Sequence, residues 1–519
     1  MRTKNIVLGT IAEIIPFFIL AVLGIVKTMY FISFIGSVGN GYFQFINRIL
    51  SYVFLVDNGF SGAVAVRLYK PFAKDDKKEI NRVYNGARVI FRRIGLVTAA
   101  VVLLAAPLLP LFNIEADFTF SVIASFLIIG GSYLLTSFFY SDTFFSLCAG
   151  NQKKYIYSTI FNIVKIVCDA LSILAVIVFK SLIAVAIVIL ILKVIQEIIM
   201  RIYMKKSYPW LKKSKDRDYK AWPMAKQLFW HQIGYLIVNN ADVILIMAFM
   251  GPIYVSIYTA YMVISQFLTE IASRINSVIG HNFGNVFAKE DKKRSKALFN
   301  ESIVLFLLMA FALCIPFQLG IRSFVNLWIS AEDVSYIVSY ITASMFTLNI
   351  FTSIVYSPIV SIISANGLFK ESKSSIMWGA FANVVLTLIL LFILPDNLKI
   401  AGALGATALS FYVTLAMRSV VVSKHIFEDL SWKKLTFKYF IYTMLFVLFS
   451  IIVYPLEKLI LANIHNIILL VGVLAFAFII GSIVTLIVLY FIYDDTKILV
   501  DRVKRLLQKM FKRPKLATK

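Results

Sequence analysis

The sequence predicts an all-α integral membrane protein of 14 transmembrane helices, and three observations predict it. Of the 519 residues, 60% are hydrophobic and only 15% charged, against about half and about a quarter in soluble domains; mean hydropathy is +0.84. Apolar windows long enough for the ~20 residues that cross a bilayer recur along the chain, which excludes a soluble enzyme with a single anchor. Lys and Arg gather in alternate connections, the bias that marks the cytoplasmic side of a membrane protein.

The elements follow in order from this alternation. The opening Met1-Arg-Thr-Lys-Asn leads into a run longer than a signal-peptide core, without a small-residue cleavage site, so 6–36 reads as a span that stays. The turn Gly36–Gly41 leads to 40–70, which ends at Lys70, Lys74, Lys77, Lys78 and Arg82. Spans 84–112 and 118–148 flank the cation-poor Asn113–Asp117 and return to Lys153-Lys154. Spans 155–179 and 182–204 turn at Lys180-Ser181 and run into the basic stretch from Lys205 to Lys226. Spans 222–249 and 252–286 turn at Gly251-Pro252 and end before Lys289 to Lys296. Spans 296–328 and 334–365 turn at Glu332-Asp333 and reach Lys370 and Lys373. Spans 372–395 and 400–424 turn at Asp396–Lys399 and reach the cations from Lys424 to Lys438. Spans 436–455 and 467–493 turn at Glu457–Asn466 and lead to a basic tail from Lys497 onward.

An even span count puts both termini in the cytoplasm. Basic loops facing an anionic leaflet account for the net charge of +25 and leave no need for a nucleic-acid partner. Cys148, Cys168 and Cys314 are single and widely spaced, so neither a disulfide framework nor a thiolate metal site is expected. The four histidines form no cluster with Cys or carboxylates, which argues against a metalloenzyme. No GxxxxGK[ST] loop occurs, so the chain is not itself an ATPase; no cofactor and no enzymatic activity are expected.

Self-similarity organises the chain. Phe72-Ala-Lys-Asp-Asp-Lys-Lys is repeated as Phe287-Ala-Lys-Glu-Asp-Lys-Lys, and Tyr84-Asn85 as Phe299-Asn300. The same offset aligns Gly36 with Gly251 and Asn151 with Asn366, and Thr136-Ser137 through Tyr140-Ser141 matches Thr352-Ser353 through Tyr356-Ser357. The expected organisation is an N-terminal lobe over 1–220 and a second six-span lobe over 221–427. Two further spans occupy 428–493 and a basic amphipathic cytoplasmic tail 494–519. Six spans per lobe make the repeats parallel, related by a pseudo-two-fold along the membrane normal, with a substrate site near midplane between them and rocking as the transport motion. In the tail, Ile498, Leu499, Val503, Leu506, Leu507 and Met510 share one helical face, as expected of a helix lying on the inner leaflet.

Phe34-Ile-Gly36, Gly41-Tyr42, Leu55-Val-Asp57-Asn-Gly59 and Arg67-Leu-Tyr-Lys70-Pro71 open the first lobe, before a Lys/Asp-rich loop. Asn240-Ala-Asp242-Val-Ile-Leu, Gly251 and Ile257-Tyr258 open the second. In these motifs, and over essentially its whole length, the chain resembles the Wzx-like bacterial polysaccharide flippases of the multidrug/oligosaccharidyl-lipid/polysaccharide (MOP) superfamily. The resemblance implies transfer of an undecaprenyl-diphosphate-linked oligosaccharide from the inner to the outer leaflet of the bacterial cytoplasmic membrane. It further implies a cationic cavity between the lobes for the diphosphate, a groove for the lipid tail on the last two spans, and polysaccharide polymerase or ligase machinery as a neighbouring partner.

Ionisable residues inside spans are costly and usually face a cavity or a partner. Lys27, Arg48, Lys165 and Lys193 are the candidates for binding the substrate's anionic head; Lys27 and Arg48 read as lying at similar depth on adjacent spans, where Arg would grip a diphosphate bidentately. Asp57, Asp242, Glu270 and Arg274 are the candidates for ion coupling or gating, with H⁺ or Na⁺ as the coupling ion. Lys165/Asp169, Lys193/Glu197 and Glu270/Arg274 stand at i,i+4, where opposite charges lie side by side; each pair either neutralises itself or releases one partner when a diphosphate or proton arrives. Lys27 aligns with Asp242 in the repeat, which suggests a bridge across the pseudo-two-fold that helps close the outer gate. Glu13, Arg88, Arg92 and Arg93 lie near the edge and are expected to snorkel. A lipid II flippase and a multidrug exporter of the same superfamily are the alternatives within this class. A membrane polymerase or transferase would need a large external loop or a catalytic constellation that the short outer connections lack, and a non-transporting scaffold of the same fold remains open.

Overall fold

The computed structural model describes residues 2–112, 114–139, 141–287, 292–329 and 334–501. Within these helices, the side chains of 2–11, 55–59, 224–231, 239, 278 and 280–287 are not described.

All regular structure among the described residues is helical. The first half comprises α1 (Arg2–Val53), α2 (Leu55–Ala73), α3 (Lys77–Ala105), α4 (Ala116–Phe138), α5 (Ser141–Gly150), α6 (Lys154–Phe179) and α7 (Leu182–Ser207). It continues with α8 (Trp222–Met250), α9 (Pro252–Phe287), α10 (Lys292–Trp328), α11 (Tyr340–Ala365) and α12 (Phe369–Ile393). The last are α13 (Asp396–His425), α14 (Trp432–Asn463) and α15 (Ile467–Ile492), with a further helical stretch over 494–501. By length and composition, 11 helices among the described residues are apolar enough to cross a membrane, or up to 12 if the bent α8 counts as one span. Of the tail, only residues up to 501 fall within the described part, so Val503, Leu506, Leu507 and Met510 lie outside it.

Breaks in the helices have local causes. Gly36 inside α1 sits at φ 71°, ψ 172°, a region open essentially to glycine alone, so α1 consists of two arms meeting at a turn. Gly251 between α8 and α9 adopts nearly the same conformation, φ 89°, ψ −178°. Pro107 and Pro110 fall in the tightened 3₁₀ stretch Ala106–Leu111 that ends α3, where missing N–H groups cost least. The segment read as one span over 118–148 is two helices, α4 and α5, separated at Phe139. α8 bends by 44° between Gln232–Val238 and Asn240–Met250.

The chain forms two compact units. The first holds Met1–Ile264, Ile329–Tyr336 and Ala380–Ala403; the second holds Ser265–Trp328, Ile337–Gly379 and Leu404–Lys519. In the first, α2, α3, α5 and α7 bury a core that includes Phe60, Leu68, Phe91, Phe144 and Met200. The connection after α7 is laid along this core: a Cβ on Gly86 would come within 2.0 Å of the Asp218 carbonyl oxygen. Asn85 spans it, donating to the Lys212 carbonyl (2.9 Å) and accepting from Ser214 N–H (3.2 Å).

In the second unit, α14 and α15 pack on α10. Gly320 and Gly481 allow the close approach, their missing Cβ atoms falling within 3 Å of Leu474 and Ile315 side chains; small residues serve membrane helices in this way. Arg322 on α10 meets Glu457 on α14 at 3.1 Å and donates to the Val338 carbonyl at 2.8 Å. The outward face of α15 is apolar nearly throughout, with Ile468, Phe476 and Phe491 exposed, as a lipid-facing helix requires.

Candidate functional site

Lys27 lies on the first arm of α1, among the apolar residues that lead to Gly36. Its ammonium reaches Asp169 on α6 at 2.7 Å, both side chains 17% exposed. The rings of Phe31 and Phe43 stand 5.4 and 5.0 Å from it, and these two rings touch across the turn at 4.9 Å. The turn thus builds an aromatic wall behind an inter-helix ion pair.

Lys193 on α7 lies over the rings of Tyr133 and Phe161, each at 5.3 Å, with Gln196 as a weak acceptor at 3.4 Å. Cation–π contacts of this kind strengthen where water is scarce. Cys168 senses the charges of Lys27, Asp169 and Lys193, and Lys193 senses Lys165 and Glu197. Lys27, Lys165 and Lys193 therefore share one electrostatic neighbourhood, in which Lys165 is exposed. Carboxylates interleave with these cations, so the neighbourhood is a mixed seam.

Arg48, on the second arm of α1, is held differently. It donates to the Asn240 side-chain oxygen at 2.5 Å, and its other terminal nitrogen lies 3.8 Å from the Met262 sulfur. No carboxylate among the described residues comes within ion-pair distance. Beside it Tyr258 donates to Asp242 at 3.0 Å, and Tyr52 donates to the Leu236 carbonyl at 3.1 Å. Both tyrosines sense the charges of Asp242 and Arg48, so α1, α8 and α9 bring a cation and a carboxylate into one cluster on neutral partners.

Several sequence expectations are corrected. Lys27 does not bridge to Asp242: α6 brings Asp169 to it, while Asp242 is buried and accepts from Tyr258. The i,i+4 pairs do not close. Asp169 turns to Lys27, leaving Lys165 without it. Glu197 accepts from the Ser141 hydroxyl and from Ser141 N–H at 3.2 Å, while Lys193 turns to the rings. Glu270 is exposed, and no ion pair within 4 Å joins it to Arg274; both belong to the second unit. For the first two pairs the physical reason is shared: neighbouring helices offer desolvated partners that a same-helix charge, spread over its own surface, does not match. Lys27 and Arg48 likewise turn to different helices. The Asp57 side chain lies outside the described residues.

The end of the bundle away from the basic loops carries a hydrogen-bond chain that the sequence reading missed. Asn40 donates to the Ser256 hydroxyl (2.7 Å), Ser256 lies 2.8 Å from the Tyr336 hydroxyl, and Tyr336 donates to Ser37 at 2.8 Å. Gly41 lies so close to Pro252 that a Cβ would fall 2.0 Å from its carbonyl oxygen. Asn240 was legible only as part of a motif. Glu457 was read as part of a loop, and Arg418 on α13, buried over Tyr356, was overlooked near a helix end. Among the described residues no group of His, Cys, Asp or Glu is placed to hold a metal ion.

No family model and no curated protein sequence matches the chain; its likenesses lie in solved structures. A lipid II flippase, MurJ, in an inward closed conformation superimposes with a TM-score of 0.69 at 16% identity, over 93% of this chain and 99% of that one. A multidrug resistance MATE family transporter of the MOP superfamily, in an inward-facing conformation, gives 0.57 at 10% identity over 78% and 96%. The eukaryotic MATE transporter AtDTX14 gives 0.56 at 15% over 84% and 98%. The chain has the fold shared by MurJ and the MATE transporters of the MOP superfamily.

Proposed function

We propose that this chain is a flippase that carries an undecaprenyl-diphosphate-linked oligosaccharide, a repeat unit of a cell-surface polysaccharide or teichoic acid, from the inner to the outer leaflet of the bacterial cytoplasmic membrane. The observation that carries the reading is Arg48, a guanidinium inside an apolar bundle held by an amide oxygen and a thioether. A half-buried cation on neutral partners attracts a phosphate, and arginine matches phosphate geometry. Lys27, Lys165 and Lys193, elsewhere in the same unit, supply further positive charge, and Asp169 is the counter-ion a diphosphate would displace from Lys27.

In this reading the chain crosses the membrane 14 times with both termini in the cytoplasm. Lobes 1–220 and 221–427 alternate access, 428–493 holds the lipid tail, and 494–519 lies on the inner leaflet. The chain Asn40–Ser256–Tyr336–Ser37 closes the outer end. Asp57, Asp242 and Glu270, with Arg274, couple the cycle to H⁺ or Na⁺, and a polymerase or ligase receives the product. The neighbouring readings are a lipid II flippase and a multidrug exporter, and the distinction rests on the cargo.

The test is to deplete the protein in cells and identify the undecaprenyl-linked intermediates by mass spectrometry. A diphosphate-linked oligosaccharide accumulates and is cleared by the wild type but not by the Lys27→Ala/Arg48→Ala double variant. Accumulation of lipid II assigns the other flippase activity. Increased sensitivity to cationic dyes without any lipid-linked glycan overturns the flippase reading in favour of export.

A further inference from the structure

Within the second unit, α11, α13 and α14 line a small, half-open cleft. Thr352, Tyr356, Phe411, Tyr412, Tyr439 and Thr443 line it. Arg418 lies beside it, its guanidinium 5.5 Å from the centre of the Tyr356 ring. Arg418 and Tyr356 are 8% exposed and Tyr439 is 3% exposed. The Arg418 Nε and the Tyr439 hydroxyl are buried without a hydrogen-bond partner, and the buried Tyr356 hydroxyl lies against the Arg418 guanidinium, its own proton unclaimed. No carboxylate among the described residues lies within ion-pair distance of Arg418. Tyr412 and Thr443 are different, because they satisfy each other.

A charged guanidinium inside an apolar bundle is expensive unless it is paired, and each orphaned buried donor adds its own cost. The unmet groups here are donors around one space, so the missing partner accepts hydrogen bonds and carries negative charge. A phosphate meets both conditions. Depth and surroundings narrow the source. Arg418 lies two turns, about 10 Å, from the end of α13 that carries Lys424 and His425. Tyr439 lies at similar depth from the start of α14, beside Lys433 and Lys434. Exposed Val413, Phe440 and Met444 flank the cleft, and Tyr412 contacts Phe440 at 6.2 Å. A headgroup at that depth with an apolar rim beside it is the arrangement a bilayer lipid presents.

We infer that the cleft between α11, α13 and α14 binds the phosphate of a membrane lipid, with Arg418 pairing to it and Tyr356 and Tyr439 donating to its oxygens. The residues of this site belong to the second unit and Lys27 and Arg48 to the first, and the inference stands whether or not the chain transports a lipid.

The purified full chain is tested by native mass spectrometry in detergent with three probes: dioleoyl phosphatidylglycerol, undecaprenyl phosphate and dioleoylglycerol. The wild type retains a phosphate lipid and not dioleoylglycerol. Arg418→Gln weakens that retention about tenfold or more, the range of a charge-assisted hydrogen bond, and Tyr356→Phe weakens it several-fold. Selective loss of phosphatidylglycerol assigns the site to bulk phospholipid, and selective loss of undecaprenyl phosphate assigns it to the carrier lipid. Tyr356→Phe keeps the ring and its packing, so it decides the matter if Arg418→Gln fails to fold. Equal retention of dioleoylglycerol, or retention unchanged in the folded variants, overturns the inference.

Discussion

Lys27 on α1 and Asp169 on α6 form an ion pair at 2.7 Å inside the first unit, joining two residues 142 apart in sequence. Removing one member leaves the other partly desolvated and unpaired, a loss that reaches about 3–5 kcal/mol for a fully buried pair. With 17% exposure on each side, about 1–3 kcal/mol is expected for Lys27→Ala or Asp169→Ala. The Lys27→Ala/Asp169→Ala double variant should melt closer to wild type than the sum of the single losses implies. Thermal unfolding in detergent measures this, and strictly additive losses would show that the pair carries no coupling.

How much was legible depended on whether a cause was local. Helix existence followed from hydropathy. The equivalence of Gly36 and Gly251 followed from the repeat, and their matching positive φ values give it a backbone meaning. Partner choice was not local. The i,i+4 spacing of Lys165 and Asp169 says only that they share a face, whereas α6 turns that face toward Lys27. The break between α4 and α5 was announced only by the short polar run Ser141-Asp142-Thr143, which a span can also carry. Arg418 was legible by the rule that an ionisable residue in a span needs a partner, but it stands only six residues before Lys424 and was not singled out.

Gly41 and Gly62 give a controlled contrast. A methyl on Gly41 would sit 2.0 Å from the Pro252 carbonyl, which is backbone, while nothing lies within 4 Å of one on Gly62. Gly41→Ala should therefore separate the second arm of α1 from the start of α9 and cost several kcal/mol, as overpacking at fixed backbone does. Gly62→Ala in α2 should be neutral or stabilising by up to about 1 kcal/mol. Expression level and melting temperature separate the two, and equal behaviour would contradict the close approach.

Arg322 and Glu457 should fix α14 to α10. Glu457 is 1% exposed on its side chain and Arg322 16%, so Glu457→Ala leaves a guanidinium without its counter-ion, at about 3–5 kcal/mol. A paired Arg322→Met/Glu457→Leu replacement removes both charges and should recover most of that loss. Melting curves of the four proteins give the coupling; a double variant no better than Glu457→Ala would mean that the pair is not the fastening.

The connection after α7 should be sensitive to acid. Arg67 grips Asp218 through two nitrogens at 3.0 and 2.7 Å and also reaches Glu79 at 2.8 Å. Burial of Asp218 opposes its ionisation, but the Lys220 N–H and Arg67 outweigh it and hold its carboxyl below the usual value of 3.8. A depressed carboxyl contributes stability that is complete above the unfolded value and lost as pH falls through the folded one. Between pH 6 and pH 3 the wild type should lose more stability than Asp218→Asn, which starts lower and changes less. Parallel pH profiles would remove Asp218 as the source.

The Asn40–Ser256–Tyr336–Ser37 chain should hold its end of the bundle shut. Ser256 accepts from Asn40 and can pass its own proton toward Tyr336, which donates to Ser37, so each bond polarises the next. All four residues are buried, and removing the Tyr336 hydroxyl deletes its bonds to both Ser256 and Ser37. Tyr336→Phe does so while keeping the ring, at about 1–3 kcal/mol against the closed arrangement. A cysteine introduced at Val38 should then react with a membrane-impermeant maleimide several-fold faster in Tyr336→Phe than in the same protein with Tyr336 intact. Because the substitution removes one oxygen and no apolar surface, unchanged labelling would mean that the apolar contacts around Gly41 and Pro252 close this end by themselves.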